Sequence, residues 1–197
     1  MTMKKRSFPL LLVLGIVLVA VSLSLVAFSL IRGRIGANVC RTVVAKMQQL
    51  LPERQSGGVG LYENATMPVL QIDGVDYAAL LEIPSMQVAL PVANEWNPRR
   101  LSAAPARFCG SVYDRSLVIG GTDSSNQFAF CSKIEDGTQV TVTDMTGASF
   151  TYEVTAVDRA KKAEKAWLAN ESFDLTLYCR DTYSMEYVAV RCSFIFG

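Results

Sequence analysis

The most nucleophilic side chains of this sequence are five cysteines, and the chain contains no histidine. The cysteines are Cys40, Cys109, Cys131, Cys179 and Cys192. No two of them form a Cys-x-x-Cys pair, and zinc sites are built from such pairs or from histidines, so we expect no metal and no other cofactor. Because imidazole is the side chain that exchanges protons near neutral pH, the sequence excludes any catalytic dyad or triad that contains histidine.

Cys179 is the cysteine with the most alternatives open. It ends a predicted strand at 175–179 and is followed by Arg180, and a nearby cation lowers the pKa of a thiol and so favours the nucleophilic thiolate. A strand cysteine is also compatible with burial in a core, or with a disulfide to Cys192. Arg180 is either a cation in a cleft, suited to a peptide carboxylate, or a solvated charge at a strand end.

The elements that would position these side chains are mainly β-strands. Alternating apolar residues predict strands at 69–72, 75–81, 87–92, 116–119, 139–143, 150–157, 175–179 and 187–194. Asp73-Gly74 predicts a two-residue hairpin between the first two strands, and 144–147 predicts a turn. Helical spacing predicts a short amphipathic helix at 35–51 and another helix at 160–169. Many short strands with one or two short helices indicate a mainly β fold, a barrel or a sandwich.

An uncharged apolar segment precedes these elements. Residues 8–31 number 24 and would span roughly 36 Å as a helix, against about 30 Å of bilayer hydrocarbon. The segment is longer than the apolar part of a cleavable signal peptide and leads into Arg32 and Arg34, so we expect a retained transmembrane anchor. The predicted division of the chain is a cytoplasmic tail at 1–7, the anchor at 8–31, a juxtamembrane helix and linker at 32–66, and a β-domain at 67–197.

The charge distribution limits the partners of the β-domain. The chain has 19 basic and 18 acidic residues, and five of the basic residues but no acidic one precede residue 35. The remainder is therefore mildly acidic, which excludes a nucleic-acid partner. A long C-terminal part is translocated largely regardless of its charge, so we expect the N-terminus inside and the β-domain outside.

Seven segments, taken in order, resemble class B sortases, the surface transpeptidases of Gram-positive bacteria. The segments are IDGVDY at 72–77, LEIP at 81–84, LPV at 90–92, SVY at 111–113, LVIGG at 117–121, DLTLY at 174–178 and VAVRC at 188–192. The resemblance covers roughly residues 67–194. It implies the closed sortase β-barrel and a single-pass protein of the cell membrane, whose C-terminal domain faces the cell wall.

The resemblance also implies three active-site positions, and the sequence departs from the family pattern at each. Sortases use a cysteine nucleophile, a histidine that exchanges protons and an arginine that steadies the oxyanion. The histidine position holds Thr122, and the arginine position holds Tyr187. An ungapped alignment places Arg180 at the nucleophile position, whereas a one-residue deletion would bring Cys179 there. Arg191 lies four residues, about 13 Å, beyond Tyr187 and is a candidate groove cation.

Two functions are compatible with this pattern. The first is a pseudo-sortase that binds a peptide or sorting signal, or assists an active sortase or a pilin in surface assembly, without standard transpeptidation. The second is a divergent cysteine transpeptidase with Cys179 as nucleophile, Arg180 or Arg191 as activating cation, and Asp123 or Asp181 as proton carrier. A carboxylate with a pKa of about 4 is a poor proton donor at neutral pH. A third reading is an unrelated secreted β-domain.

Overall fold

The computed structural model describes residues 7–53, 55–56 and 66–195, with the backbone alone at 7–11, 29–37 and 55–56. Residues 1–6 of the predicted tail, and residues 54 and 57–65 of the predicted juxtamembrane helix and linker at 32–66, lie outside the described residues.

The described residues form two α-helices and ten strands. In chain order they are α1 (Ser7–Leu50), β1 (Gln55–Ser56), β2 (Leu70–Ile72), β3 (Val75–Ile83), β4 (Val88–Ala93), β5 (Ala106–Cys109), β6 (Leu117–Gly120), β7 (Gln139–Asp144), β8 (Ala148–Ala160), α2 (Lys165–Leu168), β9 (Leu175–Arg180) and β10 (Tyr187–Phe194). Short 3₁₀ turns occupy Pro84–Met86 and Ala129–Ser132.

Eight of the strands close into a barrel. The order around it is β3, β4, β5, β6, β9, β10, β8 and β7, and β7 pairs back with β3. The β4–β5 and β6–β9 pairs are parallel and the other neighbours are antiparallel. Closure leaves no free edge among these eight strands. The predicted mainly β, closed barrel is confirmed.

Two layers of apolar side chains follow from the alternation along the strands. On β9, Leu175, Leu177 and Cys179 face the interior and join the main core. Tyr178 faces the outside and belongs to a smaller cluster with Val118, Leu168 and Ala189. Because neighbouring residues of a strand face opposite sides, the Cys179 thiol lies inside the barrel and the Tyr178 ring lies on its outer surface.

Two predicted turns are confirmed, and both depend on special backbone conformations. Asp73 and Gly74 have φ values of 51° and 75°, as a two-residue type I′ hairpin between β2 and β3 requires. In the second turn, Asp144 Oδ1 accepts hydrogen bonds from the backbone N–H groups of Thr146 and Ala148, and Gly147 has a φ of 87°.

The extent of the helices differs from the prediction. The predicted helix at 160–169 is wrong in its first half, because β8 continues to Ala160 and α2 spans Lys165–Leu168. Ala160 belongs to the ladder in which 157–160 pair with 187–190 of β10, and residues 161–164 form neither helix nor strand. The predicted short helix at 35–51 is the C-terminal part of α1, which runs without a break from Ser7.

The C-terminal part of α1 packs on the barrel. Cys40, Val43, Val44 and Met47 are buried on one face of the helix, and the Cys40 thiol donates a hydrogen bond of 3.0 Å to the Ala103 carbonyl. The large apolar side chains from Leu12 to Phe28 are instead at least half exposed. Searched over the described part of the chain, no helix is long and apolar enough to cross a membrane. The anchor at 8–31 stays a prediction.

The buried thiols are expected to make the fold sensitive to alkali. Burial raises the pKa of Cys40 to about 11 and that of Cys192 to about 12, whereas an unfolded chain ionises such thiols near pH 8.5. Their stabilisation is fully present below about pH 8.5. Above it the unfolded state binds fewer protons than the folded state, so we expect the free energy of unfolding to fall by roughly 1.4 kcal/mol per pH unit for each thiol.

Urea unfolding of the full chain under reducing conditions, between about pH 8 and pH 10, measures this slope. In the Cys192→Ala variant the free energy of unfolding is expected to fall less steeply with pH, by roughly 1.4 kcal/mol per pH unit less than in the unchanged chain. This difference in slope is expected whatever the stability of the variant at pH 8. A free energy of unfolding that stays constant up to pH 10 contradicts the expectation.

Candidate functional site

The ends of three neighbouring strands form the centre of a cleft on the outer surface of the barrel. Gly120 pairs with Tyr178 between β6 and β9, and Arg180 pairs with Tyr187 between β9 and β10. Thr122 follows β6 two residues after Gly120. Thr122, Arg180 and Tyr187 line one cavity of about 530 Å³. The structure therefore brings together Thr122, Arg180 and Tyr187, which the resemblance, aligned without a gap, predicts at the histidine, cysteine and arginine positions.

Aromatic rings form the floor of this cleft. Trp96 stacks on Tyr178 with ring centroids 5.7 Å apart, and Phe108 meets both rings edge to face, at 5.2 Å from Trp96 and 5.7 Å from Tyr178. Gly120 lies beneath them, and a Cβ at this position would clash with the rings of Trp96 and Tyr178. A glycine here thus allows the indole to settle onto the strands. The floor offers apolar surface to a ligand.

Thr122 belongs to a hydrogen-bonded loop. Its backbone N–H and its hydroxyl both donate to Gln127 Oε1 at 3.0 Å, and its Oγ1 lies 3.0 Å from Ser124 Oγ. The buried Gln127 in turn donates to the Leu101 carbonyl at 2.7 Å, which ties this loop to the opposite side of the cleft. A hydroxyl does not change its protonation near neutral pH, so Thr122 supplies structure and hydrogen bonds and no proton exchange.

Cys179 faces away from the cleft. Its side chain is 3% exposed within the barrel, where Sγ lies 3.6 Å from the Phe128 carbonyl oxygen and contacts the thiol of Cys131. Burial raises the pKa of the Cys131 thiol well above its usual range, and the adjacent Cys179 raises it further. Cys179 is therefore a packing group of the core and is not presented to a ligand in the cleft.

The disulfide between Cys179 and Cys192 is not formed. All five cysteines are free. Cys179 pairs with Val188 across β9 and β10, whereas Cys192 pairs with Leu175. The two cysteines are therefore four residues apart along the ladder, about 13 Å, and a disulfide requires Cα atoms within about 7 Å.

Arg180 extends into the cleft from the end of β9. Its guanidinium lies over the Tyr187 ring, with Cζ 5.9 Å from the centroid, and Nε donates to the Met185 carbonyl at 3.4 Å. Among the described residues no carboxylate lies within ion-pair distance of it. Asp123, which also lines the cavity, accepts a hydrogen bond of 2.9 Å from the backbone N–H of Thr182.

The second carboxylate considered as a proton carrier, Asp181, supports the loop beside the cleft. Its Oδ1 accepts hydrogen bonds from the backbone N–H groups of Ser184 and Tyr183, and Oδ2 pairs with Arg159 at 3.2 Å. The backbone hydrogen bond from Ser184, followed by that from Tyr183, lowers the pKa of Asp181 below its ordinary value. A carboxyl with a lowered pKa is protonated even less often at neutral pH than an ordinary one. Asp181 therefore has less proton to supply as a general acid.

Arg191 lies behind the wall of the cleft and does not line it. The side chain is completely buried, and it donates to Asp158, Thr176 and the carbonyls of Leu168 and Trp167 at distances of 2.7 to 3.1 Å. Leu168 itself lines the cavity. As a groove cation Arg191 was expected at the surface, but the segment that contains α2 covers it. Its place in the structure is that of a clamp that holds this segment on the barrel.

No group of three or more histidine, cysteine, aspartate or glutamate side chains in the described ranges is arranged to hold a metal ion. Two residues of the aromatic floor were not predicted from the sequence: Trp96 on the β4–β5 connection and Phe108 on β5. A signal for Trp96 exists, since it is one of two tryptophans in the chain. Its position gives no indication that it contacts Tyr178.

No protein-family model matches the chain, and no curated protein matches it in sequence. Solved structures do match the fold. The sortase D5 transpeptidase of Clostridium perfringens is 19% identical, with a TM-score of 0.53 over 61% of this chain and 80% of that one. Sortase C1 of Streptococcus agalactiae is 19% identical, with a TM-score of 0.54 over 69% and 74%. Sortase A of Corynebacterium diphtheriae is 18% identical, with a TM-score of 0.52 over 84% and 85%.

These similarities establish the fold of the chain, a closed eight-stranded barrel of the sortase type. The three solved structures belong to classes D, C and A. The resemblance to class B stays a prediction.

Proposed function

We propose that this chain is a membrane-anchored pseudo-sortase, which binds a peptide segment in its cleft and does not carry out transpeptidation. The observation that supports the proposal is the row of residues at the strand ends. Thr122, Arg180 and Tyr187 stand together in the cleft, at the positions where the resemblance to sortases calls for histidine, cysteine and arginine.

Two of the three replacements, Arg180 and Thr122, each remove a separate requirement of acyl transfer. A thiolate must attack the carbonyl carbon, the leaving amine must receive a proton, and the tetrahedral oxyanion needs a donor. The guanidinium of Arg180 is protonated at neutral pH and so has no nucleophilic atom, and the hydroxyl of Thr122 exchanges no proton. General acid–base catalysis alone contributes about 10²–10⁴-fold, and residues that act as a unit do not lose activity additively.

The alternative is a divergent cysteine transpeptidase that uses Cys179. Its burial within the barrel, against Phe128 and Cys131, argues for the pseudo-sortase, because a substrate in the cleft would meet Arg180 in its place. The carboxylate of Asp123 is engaged by Thr182, and that of Asp181 by its own loop. This arrangement favours binding over catalysis.

The cellular location of the protein is part of the same proposal. The apolar segment at 8–31 anchors it as a single-pass protein of a Gram-positive cell membrane, with the N-terminus inside and the barrel outside. The cleft then faces the compartment in which surface proteins are attached to the cell wall. Its partner is the sorting signal of a surface protein, presented alone or together with an active sortase or a pilin.

Intact-mass spectrometry of the full chain, after incubation with peptides that carry a sortase sorting signal, tests the loss of catalysis. We expect an unchanged protein mass and no peptide cleavage above the level of the Cys179→Ala variant. The Cys109→Ala variant is the control, because Cys109 on β5 is half-buried and has no role in either function. A gain in mass equal to the acyl fragment, absent from the Cys179→Ala variant, contradicts the proposal.

A further inference from the structure

The cleft contains a guanidinium that the fold does not neutralise. Two charged residues line the cavity, Arg180 and Asp123. The Asp123 carboxylate is held by the backbone N–H of Thr182, and it forms no ion pair with Arg180. The guanidinium of Arg180 uses Nε for the Met185 carbonyl, and its two Nη atoms make no hydrogen bond to the described residues.

The surroundings hold this guanidinium in place. Its stem leaves the last residue of β9, and its planar group lies over Tyr187 on the neighbouring strand. The two Nη atoms form one edge of the guanidinium, and such an edge accommodates both oxygens of a carboxylate. Apolar rings of the floor, Trp96 and Phe108, line the same cavity.

We propose that the cleft recognises a carboxylate-bearing peptide, in which the carboxylate pairs with Arg180 and a neighbouring apolar side chain packs on the aromatic floor. This inference rests on the proposed peptide-binding function and names the chemistry of the ligand. A cavity of about 530 Å³ is of the size that binds small ligands. The carboxylate comes either from the free C-terminus of the peptide or from an aspartate or glutamate side chain.

Three short peptides separate these sources. They are N-acetyl-Phe-Leu with a free carboxylate, N-acetyl-Phe-Leu-amide, and N-acetyl-Phe-Glu-amide. Binding to the full chain in detergent solution is measured by calorimetry, with detergent alone as the blank. We expect at least one carboxylate peptide to bind roughly 10-fold or more tightly than N-acetyl-Phe-Leu-amide, because hydrogen bonds between charged groups exceed neutral ones. The better of the two carboxylate peptides identifies the source.

Variants assign the preference to Arg180. In Arg180→Gln the difference between the carboxylate peptides and the neutral amide is expected to fall below about 2-fold, and in Arg180→Lys to be intermediate, since an ammonium lacks the planar fork. Arg41→Gln on the exposed surface of α1 changes the net charge equally and is expected to retain the full difference.

Equal binding of the three peptides, a preference that survives Arg180→Gln, or no binding of any of them overturns the carboxylate inference. Formation of a covalent acyl product in the mass measurement overturns the pseudo-sortase proposal instead. Tight binding of all three peptides without a covalent product leaves peptide binding in place and rejects Arg180 as a carboxylate receptor, so the two failures are distinguishable.

Discussion

Replacing Arg191 with methionine is expected to lower the free energy of unfolding by roughly 2–5 kcal/mol. The guanidinium is completely buried and donates to Asp158 at 2.9 Å, to Thr176 at 3.1 Å and to two carbonyls of α2. Methionine fills a similar volume without a donor, so these carbonyls lose their partner in the interior. Asp158 is 41% exposed and returns to water, which limits the cost.

The Arg191→Met substitution is expected to loosen the segment that contains α2 as well as to destabilise the whole fold. Arg191 also packs between the rings of Trp167 and Phe173, at 4.8 and 5.4 Å from their centroids. With the clamp removed, the segment with α2 is held less firmly on the outer layer. Leu168 on this segment lines the cleft, so peptide binding is expected to weaken together with stability.

Arg159→Met is the matched control for this prediction. Arg159 lies on the neighbouring strand β8 and forms an ion pair with Asp181 at 3.2 Å, but its side chain is 42% exposed. Exposed ion pairs contribute about 0–1 kcal/mol. Urea unfolding of the full chain, followed by tryptophan fluorescence, compares the two variants. Equal losses in both, or a loss below about 1 kcal/mol for Arg191→Met, would show that Arg191 is not a clamp.

The strands of this barrel were largely predictable from alternating apolar residues. The hairpin at Asp73-Gly74 was predictable from its residue types, because a type I′ turn needs two positive φ values. Strand β5 was missed because Arg107 interrupts a segment of four residues. The predicted strand at 150–157 ends three residues before β8 does, because the pairing of 157–160 with 187–190 is a distant contact that local propensity does not contain.

The cleft was predictable only in part. The order of the sortase-like segments indicated the positions of Thr122, Arg180 and Tyr187, and the structure brings these three to one cavity. The aromatic floor was not predictable, since Trp96 meets its partners only when the barrel closes. Alternation along β10 correctly places Arg191 on the same face as Tyr187. It does not reveal that α2 covers Arg191 and leaves Tyr187 in the cleft.

In the proposed pseudo-sortase, the side chain that faces the cleft at the end of β9 is an arginine, and the neighbouring thiol faces the core. Residues 179 and 180 are adjacent on β9, so their side chains must lie on opposite sides of the barrel wall. Cys179 is 3% exposed, whereas Arg180 is exposed. A thiol introduced by Arg180→Cys is therefore expected to react with solvent reagents at once, while Cys179 reacts only when the barrel opens.

The direct measurement is the alkylation rate of each thiol in the full chain at about pH 7.5, read by peptide mass spectrometry. The unchanged chain is compared with a chain that carries Arg180→Cys together with Cys179→Ala. We expect the introduced thiol to react at least about 100-fold faster than Cys179 does in the unchanged chain. Alkylation of Cys179 at a rate similar to that of the introduced thiol would contradict it, because Cys179 would then face the cleft as a nucleophile must.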